Sequence, residues 1–291
     1  VNIEEAGEER TKINKKNKSF FRQLMILISR YIKLITNDFQ QLFLLIAQAP
    51  VVAILLAMVA SEDIYTSYDD TKAIIFSIGC ASIWLGLLNS VQEICKEKVI
   101  LQKEHMADLK LSSYLLSKFI VQGIIAFIQA TLLVGIFQKI VGSSENSILI
   151  NGYWDIQFVS FLSILAAAST GLFISAVVKN SNIAMSVIPL ILVPQLLYSG
   201  MLFKLDEITD FVSNFVLCRW TVEALGTSVK LNDLTHIAQT INPLIEIEPE
   251  NYFTFTTEHM IEVIGIILLM TAVLMLSLIH ISEPTRHSLI S

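Results

Sequence analysis

Apolar residues run in blocks along this chain, with short polar stretches between them. A membrane-spanning helix needs about 20 mostly apolar residues. Six blocks approach or exceed that length, over 42–60, 73–88, 114–140, 158–178, 183–203 and 260–275. Ahead of them, Phe20, Leu24, Leu27, Ile28, Tyr31, Ile32 and Ile35 recur at helical spacing, with Arg22, Gln23, Arg30 and Lys33 between. That spacing predicts an amphipathic helix over 20–41, its basic residues flanking an apolar face that lies along a membrane surface. Residues 1–19 are polar, with Lys12, Lys15, Lys16 and Lys18 close together, and read as a solvated linker. The fold expected is an all-α integral membrane protein: six transmembrane helices preceded by an amphipathic interfacial helix.

Composition agrees with the pattern. Apolar residues make up 54% and charged residues 16% of the chain, against roughly 25% charge in a soluble domain. Mean hydropathy is +0.64. The net charge of −6 matters less than its distribution by side. Lys and Arg gather in 10–33, at Lys96, Lys98, Lys103 and Lys110, and at Lys179, three segments that alternate along the chain so as to share one side. The other loops are dominated by Asp and Glu. Basic loops stay in the cytoplasm, so the expectation is a multi-pass protein of the plasma or inner membrane with a cytoplasmic N-terminus. The lipid bilayer is its first partner. No basic stripe is interleaved with aromatics, which argues against nucleic acid.

The segment Leu276-Ser-Leu-Ile-His-Ile-Ser-Glu-Pro-Thr-Arg286 resembles an in-frame translation of a transposase adapter used in sequencing libraries. Residues 276–291 therefore read as non-native, which leaves 42–275 as the native six-block region. Cys80, Cys95 and Cys218 fall in an apolar run, a lysine-rich loop and an acidic loop, and read as buried thiols rather than a disulfide framework.

Catalytic motifs are missing. There is no G-x-x-x-x-G-K-S/T loop to cradle a nucleotide, no H-E-x-x-H and no C-x-x-C. His105, His236 and His259 are scattered over loops on both sides and would have to converge with carboxylates to hold a metal. No catalytic, cofactor-binding or metal-binding residue is assigned. The apolar blocks carry almost no ionisable side chains, which ion- or proton-coupled transport would need; any transport is powered from outside them. Gln129, Thr131 and Gln195 either face a cavity or bond between helices, and Pro194 beside Gln195 frees backbone groups of the sort that line cavities. The stretch 89–110 mixes Glu93, Glu97 and Glu104 with four lysines, while Ile94, Val99, Ile100, Leu101, Met106 and Leu109 supply apolar contacts. It is either a short amphipathic helix docking on another protein or a charged loop lying on headgroups.

Trp84-Leu-Gly-Leu-Leu-Asn89-Ser-Val-Gln-Glu93-Ile, followed by Glu97-Lys98-Val-Ile and Lys103-Glu104, resembles the second span and coupling loop of subfamily G (white-type) ABC exporter permeases. Tyr114-Leu-Leu-Ser-Lys118 is similar to that family's third span at its start. Tyr198-Ser-Gly-Met and Arg219-Trp-Thr-Val-Glu-Ala-Leu225 resemble the end of its fifth span and the re-entrant helix beyond. Lys98 and Lys103 stand where the family has arginine, which keeps charge but loses bidentate pairing.

The resemblance implies a half-transporter that works as a homodimer or heterodimer. Its substrate passes between second and fifth spans, near Trp84, Asn89, Gln129, Pro194 and Gln195. Alternating access is driven by an ABC ATPase domain that holds ATP and Mg outside this sequence, upstream of Val1 or on a separate subunit. Glu93, Glu97, Lys98, Val99, Ile100, Leu101, Lys103 and Glu104 become the coupling loop, and Arg22, Arg30 and Lys33 its partners on the connecting helix. ATP hydrolysis is not expected of this sequence itself. Two other classes stay open on the residues alone: a channel or secondary carrier without an ATPase, and a non-transporting membrane scaffold or receptor.

Overall fold

The computed structural model describes residues 20–61, 64–106, 109–144, 146–203, 205–235 and 251–282. Every regular element among them is helical. Helix α1 (Phe20–Asn37) turns at Asp38 into α2 (Phe39–Val59), and the Asp38 side chain caps α2 by accepting from the Gln41 amide. Helix α3 (Tyr68–Ser90) leads through a tight turn at Cys95–Glu97 into the nine-residue α4 (Lys98–Met106). Then come α5 (Leu111–Val141), α6 (Gly152–Val177) and α7 (Ser181–Leu197). Two short helices, α8 (Glu207–Ser213) and α9 (Leu217–Ser228), precede the last, α10 (Thr257–Ser282).

Five segments among the described residues are long and apolar enough to cross a membrane: Phe39–Val59, Tyr68–Leu101, Leu111–Val141, Gly152–Val177 and Thr257–Ile281. The remaining apolar block gives a shorter helix. Ser181–Leu197 has 17 residues, or about 25 Å at 1.5 Å per residue, against a hydrocarbon core of about 30 Å. It stops at Leu197 rather than running on to 203. Gly200 takes a φ of +78°, the left-handed backbone that closes helices and suits glycine.

The bundle is built around α6, the most enclosed spanning helix. Small residues let α3 come against it: a Cβ on Gly86 would collide with the Ile164 carbonyl and the Ala168 amide, and one on Gly171 with Ser90. Close backbone approach of this kind is how helices associate in lipid, where apolar burial alone offers no gain. At the start of α6 the fully buried Asp155 accepts from the amides of Ile148, Leu149 and Ile150, so the preceding loop folds back on the helix.

Helix α1 has the expected amphipathic period, and it meets protein. Leu24, Leu27, Tyr31 and Ile35 are buried, with Tyr31 and Ile35 clustering on Val121 and Ile125 of α5. Phe21 and Met25 stay exposed. At the other end of the chain, α10 continues through 276–282 because Leu-Ser-Leu-Ile-His-Ile prolongs the apolar run. Leu278 is buried in one cluster with Leu27, Tyr114 and Leu172. Residues 1–19, His236 and 283–291 lie outside the described residues.

Candidate functional site

Where α1, the turn after α3, α4 and α5 meet, one buried cation organises two carboxylates. Lys118 lies in the second turn of α5 and is 2% exposed. Its Nζ is 3.2 Å from Glu93 Oε2 and 3.0 Å from Glu97 Oε1. It also sits 3.6 Å from the centre of the Tyr31 ring and 5.7 Å from that of Tyr114. Each phenol donates to one of the same carboxylates: Tyr31 Oη to Glu93 Oε2, and Tyr114 Oη to Glu97 Oε2 at 2.7 Å. Gln122 Nε2 donates to Tyr31 Oη at 3.3 Å. Burial, and then the charge of Glu93, hold the Tyr31 hydroxyl well above its ordinary pKa, so it stays a donor. Burying charge is costly unless every partner is present. Here two acids share one ammonium and two hydroxyls, so each acid has both a charge partner and a donor.

The backbone around the frame is pinned as well. Ser175 Oγ near the end of α6 accepts from the amides of Ile94 and Cys95 at 2.9 and 3.0 Å. Lys98 Nζ donates to the Val178 carbonyl at 3.4 Å. From this base α4 projects. Arg30 Nη1 of α1 meets Glu104 Oε1 of α4 at 2.5 Å, with the two side chains 38% and 31% exposed. Leu101 packs on the cluster around Leu115 and Leu172. Val99 and Ile100 point outward, 66% and 54% exposed, and Lys103 is exposed too. Arg22 and Lys33 are exposed and make no ion pair among the described residues.

Deeper in the bundle a polar ladder joins three helices. Gln48 Nε2 of α2 donates to Asn89 Oδ1 of α3, Asn89 Nδ2 to Gln129 Oε1 of α5, and Gln129 Nε2 to the Leu45 carbonyl. The amides of Asn89 and Gln129 are thus used between helices of this chain. Gln157 Nε2 reaches Thr131 Oγ1. Trp84 is exposed on α3. Pro194 is exposed on α7, while Gln195 Oε1 accepts from the Cys218 amide at 2.8 Å and ties α7 to α9. The structure also brings together two thiols that the sequence keeps apart, Cys218 and Cys80, and both are free.

Lys118, Tyr31 and Tyr114 hold the frame without belonging to the charged loop. The sequence signal that marks them is a single lysine within an apolar run, with a tyrosine one turn before it. Among the described residues no three His, Cys, Asp or Glu side chains converge on a possible metal position.

The family model for the ABC-2 type transporter matches residues 22–227, which takes in the whole frame and the helices from α1 to α9. The chain belongs to the ABC-2 type transporter family. This ABC-2 domain is also similar to the ABC transporter ATP-binding/permease protein Rv1747 of Mycobacterium tuberculosis, with 21% identity over 225 residues. That alignment covers 73% of this chain and 26% of the mycobacterial protein, so the chain spans about a quarter of its relative's length. The ABC-2 membership and the long apolar helices make this a multi-pass membrane protein, the permease part of a transporter.

Proposed function

We propose that this chain is the permease half of an ATP-driven exporter and that α4 is the element on which an ABC ATPase domain pushes. One observation carries the reading: a short helix offers exposed Val99 and Ile100 from a base locked by Lys118, Glu93 and Glu97. Leaving one member of a buried ion pair without its partner costs roughly 3–5 kcal/mol. A push on α4 therefore moves α3, α5 and α1 together, where a solvated loop would absorb it.

In this reading α7 is the fifth of six spans, α1 is an interfacial connecting helix, and the frame faces the cytoplasm, as the basic segments favour. Two copies, alike or different, enclose the substrate between α3 and α7, with Trp84, Pro194 and Gln195 nearest to it. The pair alternates between inward and outward openings. ATP and Mg bind at the ATPase domain, on the same polypeptide or on a separate subunit, and hydrolysis happens there. The mycobacterial relative, an ATP-binding/permease protein, supports the first arrangement.

The test is a transporter containing this chain and its ATPase, carrying Cys at Val99. A cross-link from that position to the ATPase domain that tightens with ATP is the expected result. Absence of any ATPase-coding frame upstream of Val1 or in the neighbouring gene, together with no cross-link, overturns the reading.

A further inference from the structure

A second group of ionisable side chains lies far from the frame. Helix α10 begins with Thr257 and reaches Leu278 beside the frame's apolar cluster. His259 is thus about 28 Å up the helix from Leu278 at 1.5 Å per residue. There α9 turns Glu223 toward α10. Glu223 is 5% exposed. Its Oε1 is 3.3 Å from His259 Nε2 of α10, and its Oε2 is 3.8 Å from Arg219 Nη2, one turn back on α9. Oε2 is buried without a hydrogen-bond donor.

His259 Nε2 also lies 2.9 Å from the Tyr252 carbonyl. Facing two acceptors, that nitrogen carries its proton and shares it between them. Arg219 is held elsewhere: Nη1 donates to Asn214 Oδ1 at 2.8 Å, and the guanidinium stacks between Trp220 and Tyr252, 4.4 and 4.7 Å from their rings. The Tyr252 hydroxyl donates to Asp210 Oδ1 of α8 at 2.8 Å. Neither Arg219 nor His259 therefore gives Glu223 a close, undivided bond.

We propose that Glu223 is a proton-operated latch between α9 and α10, closed when its carboxyl is protonated and loosened when it is ionised. Glu223 feels Arg219 on its own helix, His259 and Glu262 on α10, and Asp210 on α8. Helix α7 carries no ionisable side chain. The α3 thiol of Cys80 faces Cys218, and Asp155 of α6 is taken up by its loop. Burial dominates over the attraction of Arg219 and His259 and pushes the Glu223 carboxyl from 4.5 up to about 7.

The sign follows from linkage. A carboxyl that titrates near 7 when packed, and near its solvated value when α9 parts from α10 and admits water, makes the packed arrangement the one that binds the proton. Acid closes the latch, and rising pH loosens it up to about 7 and a little beyond. From those two values the opening equilibrium rises roughly tenfold between pH 6 and pH 8.

The experiment is hydrogen exchange on the whole chain in lipid nanodiscs, following amides of 217–228 and 257–263 at pH 6 and pH 8 after correction for intrinsic rates. The wild type should show about a tenfold rise in opening at pH 8. Glu223→Gln should be flat across that range and, from the same two values, roughly thirtyfold more protected than the wild type at pH 6. His259→Gln removes an attraction that lowers the Glu223 pKa, so the wild-type transition should persist with its midpoint moved upward. A flat wild type, a Glu223→Gln variant with the same pH response, or an unmoved midpoint in His259→Gln overturns the proposal. The third outcome stands even where Glu223→Gln fails to insert.

Discussion

Lys118 with its two glutamates and Glu223 between Arg219 and His259 are near mirror images in composition and opposites in behaviour. At the frame, every acid receives an ammonium contact and a phenol. At α9, Arg219 and His259 are each engaged by other groups as well, and one carboxylate oxygen has no donor at all. All three acids are largely buried, Glu97 the least, and burial is the main force that raises the Glu223 carboxyl. What differs is the supply of hydrogen-bond donors: Glu93 and Glu97 each have a phenol and an ammonium at hand, while one oxygen of Glu223 has no donor, so the cost of burying its charge goes uncompensated. The first arrangement suits a strut and the second a switch.

The comparison breaks most visibly at Lys118. Lys118→Met keeps the stem's packing and strands Glu93 and Glu97 in a buried setting. The expected loss is about 3–5 kcal/mol, read as a collapse of the folded, monodisperse fraction in detergent and a large drop in the thermal midpoint. A Lys118→Met, Glu93→Gln, Glu97→Gln triple variant should regain much of it, because the uncompensated charges are gone. A loss below about 1 kcal/mol in the single variant would mean that the acids are solvated, and the strut reading would fall.

The pH dependence of stability sharpens the same contrast. Glu223 has a raised pKa in the folded chain, so its contribution is fully present below its unfolded value of 4.5 and is lost as pH rises through about 7. Glu223→Gln should therefore stabilise the protein at pH 8, by on the order of 1–3 kcal/mol, and by less than about 1 kcal/mol near pH 5. Denaturation midpoints at the two pH values measure this. Equal midpoints for wild type and variant at pH 8 would show the carboxylate to be adequately served.

The chain pattern foretold the helical membrane fold because long apolar runs and a 3.6-residue period are local signals. The ends of those runs were less legible. Hydropathy continues smoothly to Phe203, yet the helix stops at Leu197, because a left-handed Gly200 costs little. The stripe of α1 was clear from Leu24, Leu27 and Tyr31, but period alone does not tell a lipid surface from the flank of α5. Among the candidate site residues, the charged loop stood out by its mix of Glu, Lys and apolar side chains. Lys118 and Glu223 did not, since what sets them apart is how many donors tertiary contacts bring to each charge. Asn89 and Gln129 were visible as polar residues in apolar runs; that they bond to each other depends on how α3 and α5 are aligned.

The smallest expected change in stability falls on the pair that matters most to the proposed coupling. Arg30 and Glu104 lie 2.5 Å apart but are about a third exposed, so water and salt screen them. An exposed pair is worth about 0.2–1 kcal/mol, and Glu104→Ala should shift the thermal midpoint of the isolated chain by a degree or so. In the assembled transporter the same pair would fix the angle of α4 against α1 just where Val99 and Ile100 meet the ATPase domain. Removing one partner of a charge pair enclosed in a protein–protein joint costs about 2–5 kcal/mol. Glu104→Ala should then leave folding and ATP binding nearly intact while hydrolysis no longer drives transport. Exchanging the two charges, Arg30→Glu with Glu104→Arg, should restore part of the coupling, because the contact is between side chains and either order closes it. Wild-type transport by Glu104→Ala, or no recovery in the exchanged pair, would mean that the force passes through the Lys118 frame alone and that Arg30 and Glu104 are a surface contact.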